Sequence, residues 1–452
     1  MTVSASKPKL PPGPRIPKAI AGLLMLRNPG RVLPRFAQRY GDAFSVDLPV
    51  LGRSVVVSSP ELVKQMFTAS PEVLVFGESS PLGAVLGPGS LFSLDGKEHI
   101  RERRLLLPPF HGDRMKAYEG IIEEEAQREM GRWREGAEFE TLPSFMRITL
   151  NAILRAVFGA DGPNQQRLAE LLPGFVSLAS KLTMVPSARR DLGPLSPGGR
   201  LVRQRRAYDA VINTMIDETL ADPQLEERAD VMALLLRAHY EDGSSMSRSG
   251  IADELLTLLA AGHETTATSL AWAVERLRRA PRILARLQSE AVAGGSELRT
   301  ATIHEVQRTR PVIVGTSRVV AAPEFELGPW RIPKGYRIVA SATTIHNDER
   351  FFERPGQFEP ERFLGRKPDT YTWIPFGGGT RRCIGAAFAQ MEMDIVLRAM
   401  LLGVDLQTTH EPGEKWHSRG VAFAPSRGGL AVVRRRDGLP AREAPAADLV
   451  AA

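Results

Sequence analysis

From about residue 95 to about residue 300, nearly every segment of this 452-residue chain repeats its apolar side chains at helical spacing. That run makes the fold class mainly α and confines strands to the margins. It is interrupted at "PLSPGG" (194–199) and "EDGSS" (241–245), both rich in turn formers. Residues 43–59, "AFSVDLPVLGRSVVVSS", read as two short strands around a Leu-Gly-Arg turn, with a helix from Pro60 onward. Strand-like pieces return at 311–345, where "FELGPWRIPKGYRIVAS" reads as a hairpin, and an apolar run after Cys383 predicts a last long helix to about residue 402. The first eighteen residues, with "SASKPKLPPGPRIPK", are expected to form an irregular arm, and the Ala- and Pro-rich tail from Asp437 a disordered one. No repeat and no linker divides the rest. The expectation is one domain over 19–436, flanked by an arm (1–18) and a tail (437–452), with a small β-rich part beside the helices.

At 43% hydrophobic and 25% charged residues, the chain is an ordinary globular one. It holds one cysteine. A disulfide framework, a four-thiolate zinc site and an iron–sulfur cluster are therefore excluded within one chain, and a cytoplasmic location is the simplest expectation. The apolar stretch "AIAGLLML" (19–26) is far shorter than the ~20 residues that span a bilayer, so no membrane anchor or export signal is expected. Formal net charge is +7, with basic runs at Arg101–Arg104, Arg381–Arg382 and Arg434–Arg436. No aromatic-interleaved basic motif accompanies them, so nucleic acid is not expected as a partner. Solvated helix faces or an acidic protein partner account for the charge better.

The lone Cys383 stands in "FGGGTRRCIG", 376–385. An unpaired cysteine is ordinarily a small buried hydrophobe. Here Gly377, Gly378, Gly379 and Gly385 strip side chains from both sides of the sulfur, letting the backbone approach something flat and its amides turn toward a thiolate. A helix starting near Ile384 would place the sulfur at a positive helix end, which also favours thiolate. A nucleophile would want the same surroundings together with a histidine base, which sequence alone does not identify. A single thiolate axial ligand to haem iron explains the glycines better. Phe376, Gly379, Arg381, Cys383 and Gly385 fill every fixed position of Phe-x-x-Gly-x-Arg-x-Cys-x-Gly, and in this the chain resembles the cytochrome P-450 family.

Other parts of that family's pattern follow in order. "EVQR" (305–308) resembles its Glu-x-x-Arg element, an i,i+3 spacing that sets both charges on one helical face. Alone, such a pair is commonly a surface ion pair worth under ~1 kcal/mol. "FEPERF" (358–363) resembles the element that adds a second arginine, so the resemblance implies that Glu305, Arg308 and Arg362 form a buried network bracing the cysteine loop. Gln307 departs from the family's usual leucine, which puts local packing in question. "AAGHETTATS" (260–269) lies in a helix that should open with Ser247 as N-cap and run to about Ala280. Gly262 in mid-helix costs ~1 kcal/mol relative to alanine, so something other than helix stability selects it. The stretch is similar to the family's central-helix motif. By that resemblance the helix widens at this point, Ala261 lies against the haem, and Glu264 and Thr265 are the acid and alcohol that manage protons. The bland alternative is threonines bonding back to the preceding turn. In "GKEHIRERR" (96–104), His99 and Arg103 lie four apart and share a face. The resemblance implies that both, with Arg318 and Arg381, hold the haem propionates, and that Arg101, Arg104 and Arg382 lie on the thiolate side, where an acidic electron donor docks.

The resemblance runs from "PPGPR" to about 419–430. It implies the triangular single-domain haem fold and a haem-thiolate monooxygenase carrying haem b, with iron on Cys383. Dioxygen and a lipophilic substrate, such as a fatty acid, terpene or steroid, are expected. No Gly-x-Gly-x-x-Gly follows a strand, so electrons should come from a separate acidic ferredoxin or flavodoxin with its reductase. A monomer is expected. Pocket walls are expected from residues 73–95, 165–200, Val312–Val314 and Ala422–Phe423, with Thr257, Leu258 and Ala261 on one face toward the haem. A peroxygenase or isomerase that needs no external electrons, and a non-catalytic haem sensor, are the competing readings; the Glu264–Thr265 pair argues against both.

Overall fold

The computed structural model describes residues 10–77, 80–159 and 162–436, so the first nine residues of the arm and the tail from Asp437 lie outside the described residues. The rest of the arm is irregular but pinned, because the Ser45 amide donates to the Pro12 carbonyl at 2.9 Å and its hydroxyl to the Pro11 carbonyl at 2.8 Å. Two helices, α1 (Lys18–Arg27) and α2 (Pro29–Tyr40), lead to the antiparallel strands β1 (Ala43–Leu48) and β2 (Gly52–Val57), in register from Ala43↔Val57 to Leu48↔Gly52. Alternation then divides their side chains. Phe44, Val46 and Val56 pack toward α1 and α2, while Ala43, Val55 and Val57 pack with Val63, Met66 and Phe67 of α3 (Pro60–Thr68). Ser59 starts α3 by accepting the Leu62 amide, and Pro60 occupies the first turn, where its missing N–H costs nothing.

The helical body follows as α4 (Gly83–Leu86), α5 (Gly96–Leu106), α6 (Lys116–Met130), α7 (Thr141–Phe158), α8 (Pro163–Met184), α9 (Pro197–Leu220), α10 (Val231–Arg237) and α11 (Arg248–Leu277), with short β3 (Leu74–Val75) and β4 (Phe139–Glu140) between them. The expected break at 194–199 lies before α9 only as far as Ser196, its last three residues forming the first turn of that helix, and the one at 241–245 falls between α10 and α11. At about 45 Å, the 30-residue α11 is long enough to cross the whole domain. Ser247 caps it by accepting the Gly250 amide at 3.0 Å. α7 lies along it, with Thr149 donating to the His263 carbonyl at 2.9 Å, and Tyr208 of α9 donates to the Ala252 carbonyl at 3.0 Å. Trp272, fully buried, ties its indole N–H to the Phe423 carbonyl.

Two more helices, α12 (Pro281–Val292) and α13 (Glu297–Thr309), precede β5 (Gly315–Val320), β6 (Glu324–Leu327), β7 (Trp330–Pro333) and β8 (Arg337–Ser341). β6 and β7 are the expected hairpin. Gly328 turns it with φ of +57°, and β8 leaves it to join the main sheet, whose order is β1-β2-β8-β5-β3. β8 runs parallel to β2, from Ser54↔Arg337 to Val57↔Ala340, which joins segments nearly three hundred residues apart. The short α14 (Ala342–Ile345) and the long α15 (Ala386–Gly403) follow, and α15 contacts α6, α11, α12 and α13. Short strands close the chain: β9 (Val404–Leu406), β10 (Trp416–Ser418), β11 (Phe423–Pro425), β12 (Leu430–Ala431) and β13 (Val433–Arg435). The largest apolar core runs through α6 to α13 and α15.

Replacing Ser247 by alanine removes the cap of α11 and should lower stability by about 1 kcal/mol, with Ser247→Asp restoring it. Urea unfolding of the three proteins checks this.

Candidate active site

From Leu255 to Glu275, α11 is buried except at Leu258, Ala260, Ala261, Gly262 and Thr265. Leu258, Ala261, Gly262 and Thr265 recur at i, i+3, i+4 and i+7, one stripe of a helix. A helix wrapped in protein that keeps one such stripe accessible borders an internal hollow. Thr257 does not belong to that stripe, contrary to expectation. It is buried, with its hydroxyl 2.7 Å from both Ser90 Oγ and the Asp253 carbonyl, which ties α11 to the segment before α5. Thr265 donates to the Ala261 carbonyl at 2.8 Å and Thr266 to the Gly262 carbonyl at 3.2 Å, the back-bonded arrangement. The helix is continuous through them, so the widening implied by resemblance is not a break in α11. Glu264, one position round from the stripe, is buried and accepts from Arg419 Nε at 2.9 Å.

The cysteine loop closes on itself through the Cys383 amide, which donates to the Phe376 carbonyl at 3.0 Å. Phe376 stacks edge-on against Trp373 with ring centres 6.0 Å apart. Gly377 and Gly379 take φ of +64° and +65°, the left-handed region that favours glycine. Their bare backbone has a second use that differs from the expected one. A Cβ on Gly378 would sit 2.2 Å from the Phe67 ring, and one on Gly379 2.2 Å from the Phe67 carbonyl, so these two glycines let the loop press against α3. A Cβ on Gly385, the residue before α15, would meet no protein atom within 4 Å. Cys383 keeps accessible surface although protein surrounds it deeply enough to desolvate a charge, which places it in the wall of a concavity. The expectation of a favoured thiolate needs correcting for the polypeptide by itself. Burial raises the thiol pKa, and the Gly385 amide, Arg103 and Arg382 offset that only in part. A bound metal ion reverses this balance.

Beneath the loop, Arg308 makes a bidentate contact with Glu305, both bonds at 2.7 Å and both side chains fully buried. Arg362 adds its Nε to Glu305 at 3.2 Å and the Glu359 amide donates at 2.9 Å. The remaining Arg308 donors go to the carbonyls of His346, at 2.6 Å, and Gln357, at 3.0 Å. His346 carries the chain of contacts onward. Its Nε2 accepts the Ile374 amide at 3.1 Å, so Nδ1 holds the proton and donates to the Arg308 carbonyl at 3.0 Å. Ile374 lies two residues before Phe376, and Trp373 donates to the His304 carbonyl at 3.1 Å. Burial and then Arg308 push the His346 pKa down to about 3. Gln307, the departure from the family's leucine, is buried and paired: its Oε1 accepts from Gln390 of α15 at 2.8 Å.

The fourth constellation is cationic. His99, Arg103, Arg318 and Arg381 come within electrostatic reach of one another with Asp95 as the carboxylate among them. His99 is almost fully buried, its Nδ1 has no partner among the described residues, and burial, Arg381 and Arg103 push its pKa to about 3. Burial lowers Arg318 to about 9 and Arg381 to about 10, unusual values for guanidinium groups. Arg381 bonds the Leu91 carbonyl at 2.8 Å, the Leu94 carbonyl, and Asp95 at 2.5 Å; Arg318 bonds the Gly378 carbonyl at 3.3 Å. No hydrogen-bond or ion-pair partner of Arg103 is found among the described residues, and its field reaches both His99 and Cys383.

A family model described as cytochrome P450 matches residues 11–431. The chain belongs to the cytochrome P450 family. This P450 is 54% identical over 429 residues to a Mycobacterium tuberculosis protein carried under the name cytochrome P450 138, covering 95% of this chain and 97% of that one. Another protein of that organism, under the name cytochrome P450 137, is 38% identical over 401 residues, 88% of this chain and 84% of its own. Two solved structures share the fold. Cyanobacterial CYP120A1 with retinoic acid bound gives a TM-score of 0.83 at 22% identity, over 95% of this chain and all of that one. The cytochrome P450DA haem domain gives 0.73 at 23% identity, over 94% of this chain and 98% of that one. This P450 is therefore a haem monooxygenase with a cysteine thiolate on iron, using dioxygen and a redox partner. No helix among the described residues is long and apolar enough to cross a membrane.

The residues present fit a haem. An excess of cations, Arg318 buried and Arg103 and Arg381 half-buried, around the unpartnered His99 Nδ1 calls for two anionic groups, which the haem propionates are. Arg101 and Arg104 take no part in this cluster and are engaged by the loop after α10. Arg101 lies over the Tyr240 ring at 3.6 Å and bonds Asp242 at 3.0 Å, and Arg104 pairs with Glu241, while Arg382 stays exposed. Sequence reading missed Arg419, His346, Asp95 and Gln390. Asp95, directly before the helix of His99, is the one whose position offered a signal, as an N-cap residue type.

Glu305→Gln leaves the fully buried Arg308 guanidinium without its carboxylate, whereas the half-buried Arg362 keeps Glu359 at 3.2 Å, and should cost about 3–5 kcal/mol, read as loss of folded, haem-retaining protein on expression. His346 and His304, the latter lowered by burial to about 4, are neutral in the fold, whereas an unfolded histidine takes up a proton near pH 6.5. Stability should thus fall as pH drops from about 6.5 toward 3, with a shallower slope in His304→Phe. Urea titrations across that range give both slopes.

Proposed function

We propose that this P450 binds haem b through Cys383, its one cysteine, and inserts one oxygen atom of dioxygen into a lipophilic molecule such as a fatty acid, terpene or steroid. The observation that carries the reading is the cluster of buried His99 and Arg318 with half-buried Arg103 and Arg381, in which Arg103 acts on His99 and on Cys383 alike. These four residues hold the two propionates. Phe376, Gly379 and Gly385 shape the loop that presents the sulfur, and Ala261 offers a methyl-sized surface on the accessible stripe of α11. When bound, the thiolate-ligated haem supplies activated oxygen; with two electrons and two protons, one oxygen atom enters the substrate and the other leaves as water.

The chain's own residues do the remaining work. Glu305, Arg308 and Arg362 hold the cysteine loop in place through His346 and Ile374. Thr265 exchanges its bond to the Ala261 carbonyl for one into the hollow, and Glu264 resupplies its proton from the solvent side. Accessible surface on Leu82, Phe92, Leu258 and Ile313, all packed against the main apolar core, supports a lipophilic substrate, which such walls dehydrate and hold. Electrons come from an acidic ferredoxin or flavodoxin with its reductase, drawn to the exposed Arg382. We place this enzyme in the cytoplasm as a monomer, its haem domain spanning 19–436.

The reduced protein with carbon monoxide should give the thiolate-specific band, and Cys383→Ser should abolish it. A protein that stays colourless with ample haem ends the reading. In the same cuvette, fatty acids, terpenes and steroids should shift the Soret band, and a response to polar ligands alone excludes the lipophilic substrate class.

A further inference from the structure

The tip of the β10–β11 hairpin is held from both sides. Arg419 Nε donates to Glu264 Oε1 at 2.9 Å, while the Arg419 amide closes the turn onto the Ala422 carbonyl, also at 2.9 Å. Gly420, at φ of +112°, lies so close to α8 that a Cβ there would fall 2.4 Å from Ser180 Oγ and 2.6 Å from the Ser180 carbonyl. The Val421 amide then donates to Ser180 Oγ at 3.2 Å. Three consecutive residues thus join α8 to the buried carboxylate of α11. Next to them, Phe423 anchors the hairpin through the Val312 carbonyl and the Trp272 indole.

In this arrangement neither functional group of the Glu264–Thr265 pair is free to serve the hollow, although Thr265 lies on the stripe that borders it. Thr265 bonds back to Ala261 and Glu264 is engaged by Arg419, whose side chain is one-third accessible against 9% for Glu264. We infer that Arg419 is a positioning residue, a latch that keeps Glu264 away from Thr265 until a substrate seated against α8 displaces the hairpin tip. This rests on the reading that Glu264 relays protons. The latch restrains proton delivery while no substrate is present. Without it, two electrons from the redox partner and two protons reduce dioxygen to hydrogen peroxide, with no substrate oxygenated. The charge-assisted bond makes the carboxylate's position depend on the guanidinium, and the packed turn makes the guanidinium's position depend on α8.

The test uses the haem-loaded enzyme with its redox partner. Arg419→Gln should raise substrate-free peroxide formation at least three-fold and remove most of its dependence on substrate, and Arg419→Lys should restore wild-type behaviour. In Arg419→Gln/Glu264→Gln the added leak should vanish, since it passes through Glu264. A readout independent of turnover is the thermal midpoint. Each single substitution should lower it, and the double no further than the worse single. An unchanged leak in Arg419→Gln while Glu264→Gln slows oxygenation overturns the latch and leaves the relay standing. Unchanged oxygenation and leak in Glu264→Gln overturn the relay, and the latch with it. Fully additive midpoint shifts, or a leak that persists in the double substitution, also overturn the latch.

Discussion

Everything near the thiol depends on one buried ion pair. Glu305 and Arg308 are wholly removed from water, and charges so placed are tolerable only when every donor and lone pair is engaged. Arg362, the Glu359 amide and the carbonyls of His346 and Gln357 complete that set. The pair therefore forces the segment from 346 to 362 to fold around it, and His346 hands the constraint to Ile374 and so to the cysteine loop. Removing water makes the network directional. Bidentate geometry leaves a guanidinium little freedom to rotate, so the loop inherits a fixed seat.

The haem-facing side follows the opposite logic. There the polypeptide gathers cations without matching carboxylates, with Asp95 alone among His99, Arg103, Arg318 and Arg381. Burial drives His99 to its neutral form and weakens the hold of Arg318 and Arg381 on their protons, an arrangement unfavourable to the chain in isolation. A bound dianionic cofactor relieves it, so cofactor binding and folding stabilise each other. Cys383 obeys the same rule: burial disfavours its thiolate until a metal ion compensates.

Much of this was legible in the sequence because local rules carried it. The Ser247 cap, the span of α11, the β6–β7 hairpin and the start of α15 just beyond Cys383 follow from spacing, capping residues and turn formers. What escaped was set by neighbours distant along the chain. Thr257 has the right phase to face the hollow, but Ser90, 167 residues away, takes its hydroxyl. Gly378 and Gly379 suggest room for a flat ligand, yet Phe67 fills the space where their side chains would be. Arg419 lies in a Ser-Arg-Gly turn that looks like any exposed loop, and only the packing of that turn against Ser180 brings it to Glu264. Arg101 and Arg104 read as free surface charge until the loop after α10 supplies Asp242 and Glu241.

The parallel pairing of β2 with β8 has a consequence for the order in which a ribosome can deliver this fold. Residues 54–57 wait for residues 337–340. At about 5–20 residues per second, that interval lasts on the order of 15–60 s. During it the apolar edge of β2 stands without its neighbour, and a nascent chain in that condition is a target for holdase chaperones. The cysteine loop leaves the ribosome later still and has no α3 surface to rest on until that sheet closes. Haem capture therefore belongs to the end of synthesis, and cells making this protein faster than they can supply haem should accumulate chains whose sheet is complete and whose cationic cluster is still unmatched.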